Sequence, residues 1–255
     1  DVAMTCVEAG LPCLVEKPFA VTVASARTVL NAAKRKGVPL LTGHHRRHNP
    51  LVQKAHALIQ EGALGKLVGV SGMWALRKRD SYYETPWRTQ PGAGPILTNI
   101  IHDVDSLRYI CGEIASITAI TGNAVRGHTV EDSASISMAF ENGALGSFLI
   151  TDAGNSPWAW EVNSAENPDY PVMDQNSYLF TGTEAALGFP QLALWRHESE
   201  GEPHWFRPMQ AERLKLPWAD PLVLQAEHFA AVISGTEQPR VSGAEGVRTL
   251  ACIEA

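Results

Sequence analysis

The 255-residue chain is poor in the features that would mark a membrane, nucleic-acid or metal-binding protein. No apolar run comes near the roughly 18 to 20 residues that span a bilayer, so no membrane helix is expected. Positive charge is not in excess. With 21 Lys and Arg against 27 Asp and Glu, the net charge is -6. That balance gives no electrostatic reason to bind nucleic acid or an anionic membrane. The four cysteines, Cys6, Cys13, Cys111 and Cys252, are scattered without metal-ligand spacing. They read as the reduced thiols of a cytoplasmic protein, not as a disulfide framework or a zinc site. Repeats, low-complexity tracts and a Gly-x-Ser-x-Gly nucleophile elbow are all missing. "PGAGPIL", Pro91 to Leu97, has a Gly-x-Gly but no third glycine and no preceding strand, so it is not a dinucleotide fingerprint. An initiator Met is also missing. The chain opens on "DVAMTCVEAG" and stops at "TLACIEA", both in helical patterns, so both ends read as cut and any targeting segment would lie outside them.

What is present is an ordinary globular composition, 45% hydrophobic and 19% charged. It is enough for one large domain or two modest ones. Residues 1–10 read as a helix closed by Gly10, with Val2, Cys6 and Ala9 on one face. "PCLVEKP" reads as a short buried strand. "TVASARTVLNAAKRKG", Thr22 to Gly37, reads as an amphipathic helix with Ala24, Val29, Leu30 and Ala33 inward and Gly37 as its stop. "VPLLTGHH" is a second strand. This alternation builds a parallel sheet, and ligands bind at the carboxyl ends of such strands. Lys17, His44 and His45 fall at such ends. After Pro50 the pattern changes. A helix, "PLVQKAHALIQEGALG", precedes the strand "GKLVGVSGMWAL" and the hairpin "DSASISMAFENGALGSFLITDA", in which Asn142-Gly143 reads as a two-residue turn. Two or three further strands follow within "SYLFTGTEAALGFPQLALWRH". Ala134, Ile136, Met138 and Phe140 alternate with Ser133, Ser135 and Ser137, which predicts an antiparallel sheet open on one side. "DPLVLQAEHFAAVISG" and "GAEGVRTLACIEA" read as closing helices.

Three stretches carry candidate chemistry. The first is Glu16-Lys17-Pro18, an acid, a base and a proline at the end of an apolar strand. The second is "GPILTNIIHDVDSLRYICG", Gly94 to Gly112, read as one helix on which Thr98, His102 and Asp105 share a stripe. A His beside a carboxylate on a helix is a workable general acid/base, with Asp105 placed to orient the imidazole. The third is "TGHHRRHNP", Thr42 to Pro50, read as a polar loop that forms a cationic and imidazole rim. A hydrolytic metal site on His44, His45 and His48 is the rival reading, but no carboxylate or cysteine is spaced to complete it. Trp87-Arg88 and the aromatic segment "NSPWAWEVNSAENPDYP" read as loops that could line a sugar-sized pocket.

Together these stretches resemble the Gfo/Idh/MocA family of NAD(P)-dependent oxidoreductases. The resemblance rests on Glu16-Lys17-Pro18, on Gly43 to Pro50, on "GALGKLVGV" from Gly62 to Val70, and on Trp87-Arg88. It rests also on His102-Asp103-Val104-Asp105 and on Gly182-Thr183 to Leu187. It runs over nearly the whole chain, in order. It implies a fold of α/β plus α+β class: the C-terminal part of a Rossmann-type parallel sheet, residues 1–48, then a mostly antiparallel open-sheet substrate and oligomerisation domain, residues 49–255. The closing helices would pack back toward the first part. By the usual two-βαβ architecture, roughly 90 to 100 residues of such a protein precede this chain. The resemblance implies NAD or NADP as cofactor and a sugar, polyol or sugar acid as substrate. It makes Lys17 and His102 catalytic, Glu16, Lys17 and Pro18 cofactor-binding, and Arg88, Trp87, Asn99, Asp105 and His45 substrate-binding. The Lys17-Pro18 peptide is commonly cis in the family. A homodimer or homotetramer is expected, with no metal. Thr98 stands where many members carry Asp, four residues before the histidine. That exchange makes a non-catalytic dinucleotide-binding sensor the alternative.

Overall fold

The computed structural model describes residues 2–198, 201 and 203–255. They form two compact units. The first comprises residues 1–49, 101–106 and 219–255, and the second residues 50–100 and 107–218. The first unit therefore takes six residues from the middle of the chain and both closing helices.

In the first unit α1 (Val2–Glu8), β1 (Cys13–Val15), α2 (Val23–Lys36) and β2 (Leu40–Thr42) alternate as expected. β1 and β2 pair in parallel, Leu14 opposite Leu41. α2 begins where Thr22 accepts from Ser25 N in a reciprocal capping box. It ends at Gly37, whose φ of 66° and ψ of 25° fit the left-handed stop that glycine permits. The inward faces differ from those predicted. In α1 the buried residue is Val7, while Val2 is exposed. In α2, Ala26, Ala32 and Ala33 are buried and Ala24 is exposed. Small alanines on this stripe let α2 approach its neighbours closely. The unit is completed by α5 (Pro221–Ile233) and α6 (Gly243–Glu254), capped by Asp220 and Ser242.

The second unit holds α3 (Pro50–Gln60) and one sheet. Its strands are β3 (Leu67–Ala75), β4 (Ile114–Gly122), β5 (Ser133–Phe140), β6 (Leu145–Thr151), β7 (Tyr178–Gly182), β8 (Ala186–Phe189), β9 (Ala193–His197) and β10 (Met209–Arg213). Their order is β10-β9-β8-β7-β3-β6-β5-β4. Every pair is antiparallel except β3 with β6. One face is dry: Ala134, Ile136, Met138 and Phe140 pack with Phe148, Ile150, Tyr178, Phe180 and Phe189. The other face carries Ser135, Ser137, Leu145 and Leu149 into solvent.

Two local predictions fail for physical reasons. The hairpin turn is not the two-residue form. Gly143 N donates to Phe140 O and Phe140 N to Ala144 O, so Glu141, Asn142 and Gly143 form a three-residue loop. Only Gly143 has positive φ, 88°, which is the type I turn with a glycine bulge. The helix after Pro95 is also not uniform. Ile96–Ile100 is a π-turn, and α4 (Ile101–Cys111) starts behind it. A wider turn shifts the angular register, so the 3.6-residue stripe through Thr98, His102 and Asp105 is broken. Glu131 Oε1 accepts from Ile96 N at the start of that turn. A side chain on Gly94 would collide with the same carboxylate.

α6 sits close on β2 because Gly246 faces Thr42. A β-carbon there would lie 2.2 Å from Thr42 Oγ1. Gly246→Ala is therefore expected to overpack this contact and lower stability by about 1–3 kcal/mol, measured by denaturant or thermal unfolding.

Candidate functional site

β1 ends where Gly43 N donates to Val15 O at 2.7 Å. The chain then passes through Glu16, Lys17 and Pro18, with the Lys17-Pro18 peptide cis. Glu16 folds over Gly43, where an added β-carbon would lie 2.9 Å from Glu16 Oε2. So the carboxyl ends of both parallel strands meet at this triplet. After β2 the backbone turns into a 3₁₀ helix, His45–His48, in place of the predicted loop.

His102 lies in the first turn of α4 and is half-buried. Its ring centroid is 5.2 Å from that of His45 and 6.4 Å from that of His44, both edge-on. Its Nδ1 is buried with no hydrogen-bond partner among the described residues. Burial, and then the nearby charges of Arg46, Lys17, His45 and His44, hold its pKa well below the usual 6.5. His102 is therefore neutral at pH 7, a proton acceptor in a cationic neighbourhood. Lys17, His45 and His102 are brought together. Glu16 is exposed beside them.

The supposed rim is an interior. His44, Arg46, Arg47 and His48 are each under 5% exposed. Buried cations need acids, and the His102-Asp103-Val104-Asp105 motif supplies two of them. Arg46 Nη1 donates to Asp103 Oδ1 at 3.2 Å. Arg47 holds Asp105 with two bonds of 2.8 Å and Glu245 with one of 3.0 Å. Thr249 donates to Asp105 Oδ1 at 2.8 Å, and His44 Nε2 stands 3.9 Å from the same oxygen. Burial opposes both charges, but the Arg47 guanidinium is raised by Asp105 and Glu245, and the Asp105 carboxyl is lowered by His44, Arg47 and Thr249. The Asp105 carboxylate is thus held by Arg47, Thr249 and His44.

The three clustered histidines diverge. His44 and His45 face His102, whereas the His48 ring lies 5.0 Å from that of His228, tilted by 55°. Arg240 Nη1 lies 3.3 Å from His48 Nδ1, which must accept. Burial, then Arg240 and His228, push His48 down to about 3. Among the described residues no group of three or more His, Cys, Asp or Glu could hold a metal ion. Among the described residues no helix is long and apolar enough to cross a membrane.

The remaining candidates lie in the second unit. Trp87 and Arg88 sit in a 3₁₀ turn, Pro86–Thr89, with Trp87 exposed. The Arg88 guanidinium lies 4.0 Å from the Tyr82 ring centre and 5.5 Å from that of Trp87. Thr98 and Asn99 belong to the π-turn, and Thr98 Oγ1 is 2.9 Å from Gly94 O. Sequence reading missed two residues here. Lys78 donates to Asn99 Oδ1 at 2.8 Å and lies 3.4 Å from Asp152. Asp152, 2% exposed, also takes Arg126 at 3.0 Å and the Tyr83 hydroxyl at 2.5 Å. Burial lowers the Lys78 pKa against the pull of Asp152. Burial and Asp152 raise that of Tyr83. The only signal was charge at strand ends: Lys78 three residues after β3, Asp152 directly after β6.

A parallel strand pair with Lys17 two residues past its carboxyl end, a neutral histidine near that lysine and an open mixed sheet are the setting of a nicotinamide-dependent oxidoreductase. Comparison with known proteins agrees. Residues 1–44 match the oxidoreductase family with an NAD-binding Rossmann fold, and residues 52–187 match the GFO/IDH/MocA C-terminal domain. The chain belongs to the Gfo/Idh/MocA family. It is 25% identical to the D-apiose dehydrogenase of Paraburkholderia graminis, across 97% of this chain and 64% of that protein. It is 29% identical to the 1,5-anhydro-D-fructose reductase of Ensifer adhaerens, across 97% and 70%. The chain thus spans about two thirds of the length of these curated relatives. An Agrobacterium radiobacter oxidoreductase, solved with NAD+, L-tartaric acid and magnesium, shares the fold. Its TM-score is 0.75 at 21% identity, over 100% of this chain and 72% of that one. Relatives named as dehydrogenases and reductases do not favour the sensor alternative.

Two outcomes follow from the buried groups. Arg47→Met strands Asp105 and is expected to cost about 3–5 kcal/mol in denaturant unfolding. His48 binds a proton near pH 6.5 when unfolded and only near 3 when folded. Its contribution is therefore complete above about 6.5 and lost as the pH falls toward 3. Urea midpoints between pH 7 and 4 should fall, and His48→Gln should flatten that slope.

Proposed function

We propose that this chain takes part in hydride transfer between NAD(H) or NADP(H) and a hydroxyl or keto group of a sugar, polyol or sugar acid. The observation that carries the reading is His102, neutral and half-buried, beside Lys17 at the carboxyl end of a parallel strand pair. The residues present suit a nicotinamide and the oxygen it works on. Lys17 is a cation at the strand end. The buried His102 Nδ1 lacks a partner among the described residues. When bound, the nicotinamide supplies the hydride acceptor or donor.

In the oxidising direction His102 takes the hydroxyl proton on Nε2, the ring nitrogen opposite the buried Nδ1. Lys17 holds the developing negative charge on that oxygen with its ammonium. In the reducing direction His102 returns the proton. The surrounding cations keep the imidazole deprotonated, which suits a base more than a store of protons. Glu16 and Pro18 shape the cofactor side with Lys17. Asn99, Arg88, Trp87 and His45 are assigned to the sugar, and Asp105 acts through Arg47. The free cysteines suit a cytoplasmic protein. Exposed Leu145, Leu149 and Leu179 on the open sheet face suit a homo-oligomer, which sedimentation would test.

Absorbance at 340 nm, with NAD+ or NADP+ and a panel of polyols, aldoses and sugar acids, is the direct assay. His102→Ala is expected to lower kcat by about 10²- to 10⁴-fold. Equal rates in both proteins would overturn the assignment. Because the His102 pKa is depressed, the acid limb of the oxidation rate should fall below pH 6.5. A limb above that value would mean that another group is the base.

A further inference from the structure

Lys78 has no part in the chemistry above, yet its ammonium is held by several groups of the second unit. Its ammonium lies 2.8 Å from Asn99 Oδ1 and 3.4 Å from Asp152, and 4.9 Å from the centre of the Tyr82 ring. Asp152 is itself fixed by Arg126 and Tyr83. A primary amide has two ends of nearly equal shape, and its orientation is settled by its partners. An ammonium can only donate. The Asn99 atom facing Lys78 must therefore be the oxygen. Thr98 Oγ1, 2.9 Å away, approaches the same atom. That leaves Nδ2, with two N–H groups, facing away from the cluster. Nδ2 has no protein partner among the described residues and is not a buried orphan.

We propose that Lys78 is a specificity-determining positioning residue: it locks Asn99 so that position 99 presents only N–H donors to the sugar. The inference rests on the hydride-transfer reading and on the place of Asn99, three residues before His102 in one continuous helical run. The matching ligand atom is an oxygen with free lone pairs, a ring hydroxyl or a carbonyl. Without Lys78 only Thr98 Oγ1 holds the amide oxygen, and its single proton is shared with Gly94 O, so a flipped orientation that offers an acceptor becomes accessible. Asp152 would keep Arg126 and Tyr83, so the anchor outlasts the change.

The experiment measures KM and kcat of wild type, Lys78→Met, Asn99→Ala, Asn99→Asp and Lys78→Met/Asn99→Ala in the full-length protein. The probes are D-apiose, 1,5-anhydro-D-fructose, levoglucosan and myo-inositol, with dinucleotide affinity followed by fluorescence. Lys78→Met and Asn99→Asp should each raise KM about tenfold or more. Their kcat should stay within about threefold of wild type, and dinucleotide affinity should not change. The double variant should be no worse than Asn99→Ala, because both changes remove one hydrogen bond. A merely structural Lys78 would lower melting temperature and kcat and leave KM alone. That result, or a fully additive double variant, overturns the proposal. If Lys78→Met does not fold, Asn99→Asp decides: its carboxylate keeps the Lys78 contact and loses the donors, so an unchanged KM overturns the proposal. Failure of wild type to turn over any probe removes the hydride-transfer reading itself, and this inference with it. Turnover that is indifferent to Lys78 removes only this inference.

Discussion

The first unit depends on buried charge pairing between the 3₁₀ turn after β2 and the start of α4. Arg46 meets Asp103 and Arg47 meets Asp105, with no side chain of the four more than 5% exposed. Such pairs add little net stability against an apolar alternative. Breaking one, however, leaves a charge with nowhere to go. Their effect is therefore positional. The two carboxylates flank Val104 just after His102, so pairing them fixes the first turn of α4 and the direction of the imidazole.

That arrangement sets the proton chemistry as well. Arg46, which neutralises Asp103, also acts on His102. Arg46, Lys17, His45 and His44 all act in the direction of burial and disfavour the imidazolium. A carboxylate touching His102 would have raised its pKa. Here the acids of the motif are spent on arginines, and the histidine is left neutral. Neighbouring residues thus both place His102 and set its charge state.

The second unit repeats the device at smaller scale. Asp152, at the end of β6, gathers Arg126, Tyr83 and Lys78, and Lys78 reaches Asn99 in the π-turn. The π-turn makes this possible. Inserted before α4, it lets Thr98 and Asn99 take partners of their own while His102 follows the α-helical register.

Much of this could be read along the chain. Strand alternation, the Gly37 stop, the parallel β1–β2 pair and the strand-end place of Lys17 follow from local patterns, because period and capping are short-range properties. So does the helical place of His102, since its motif is contiguous. The sequence by itself determined which elements form and which residues could do chemistry. Only tertiary structure decided that Asp105 serves Arg47, that Arg46, Arg47 and His48 are interior, and that Lys78 fixes Asn99. Partners 21 to 58 residues apart leave no periodic trace, and a pKa depends on every charge that folding brings near.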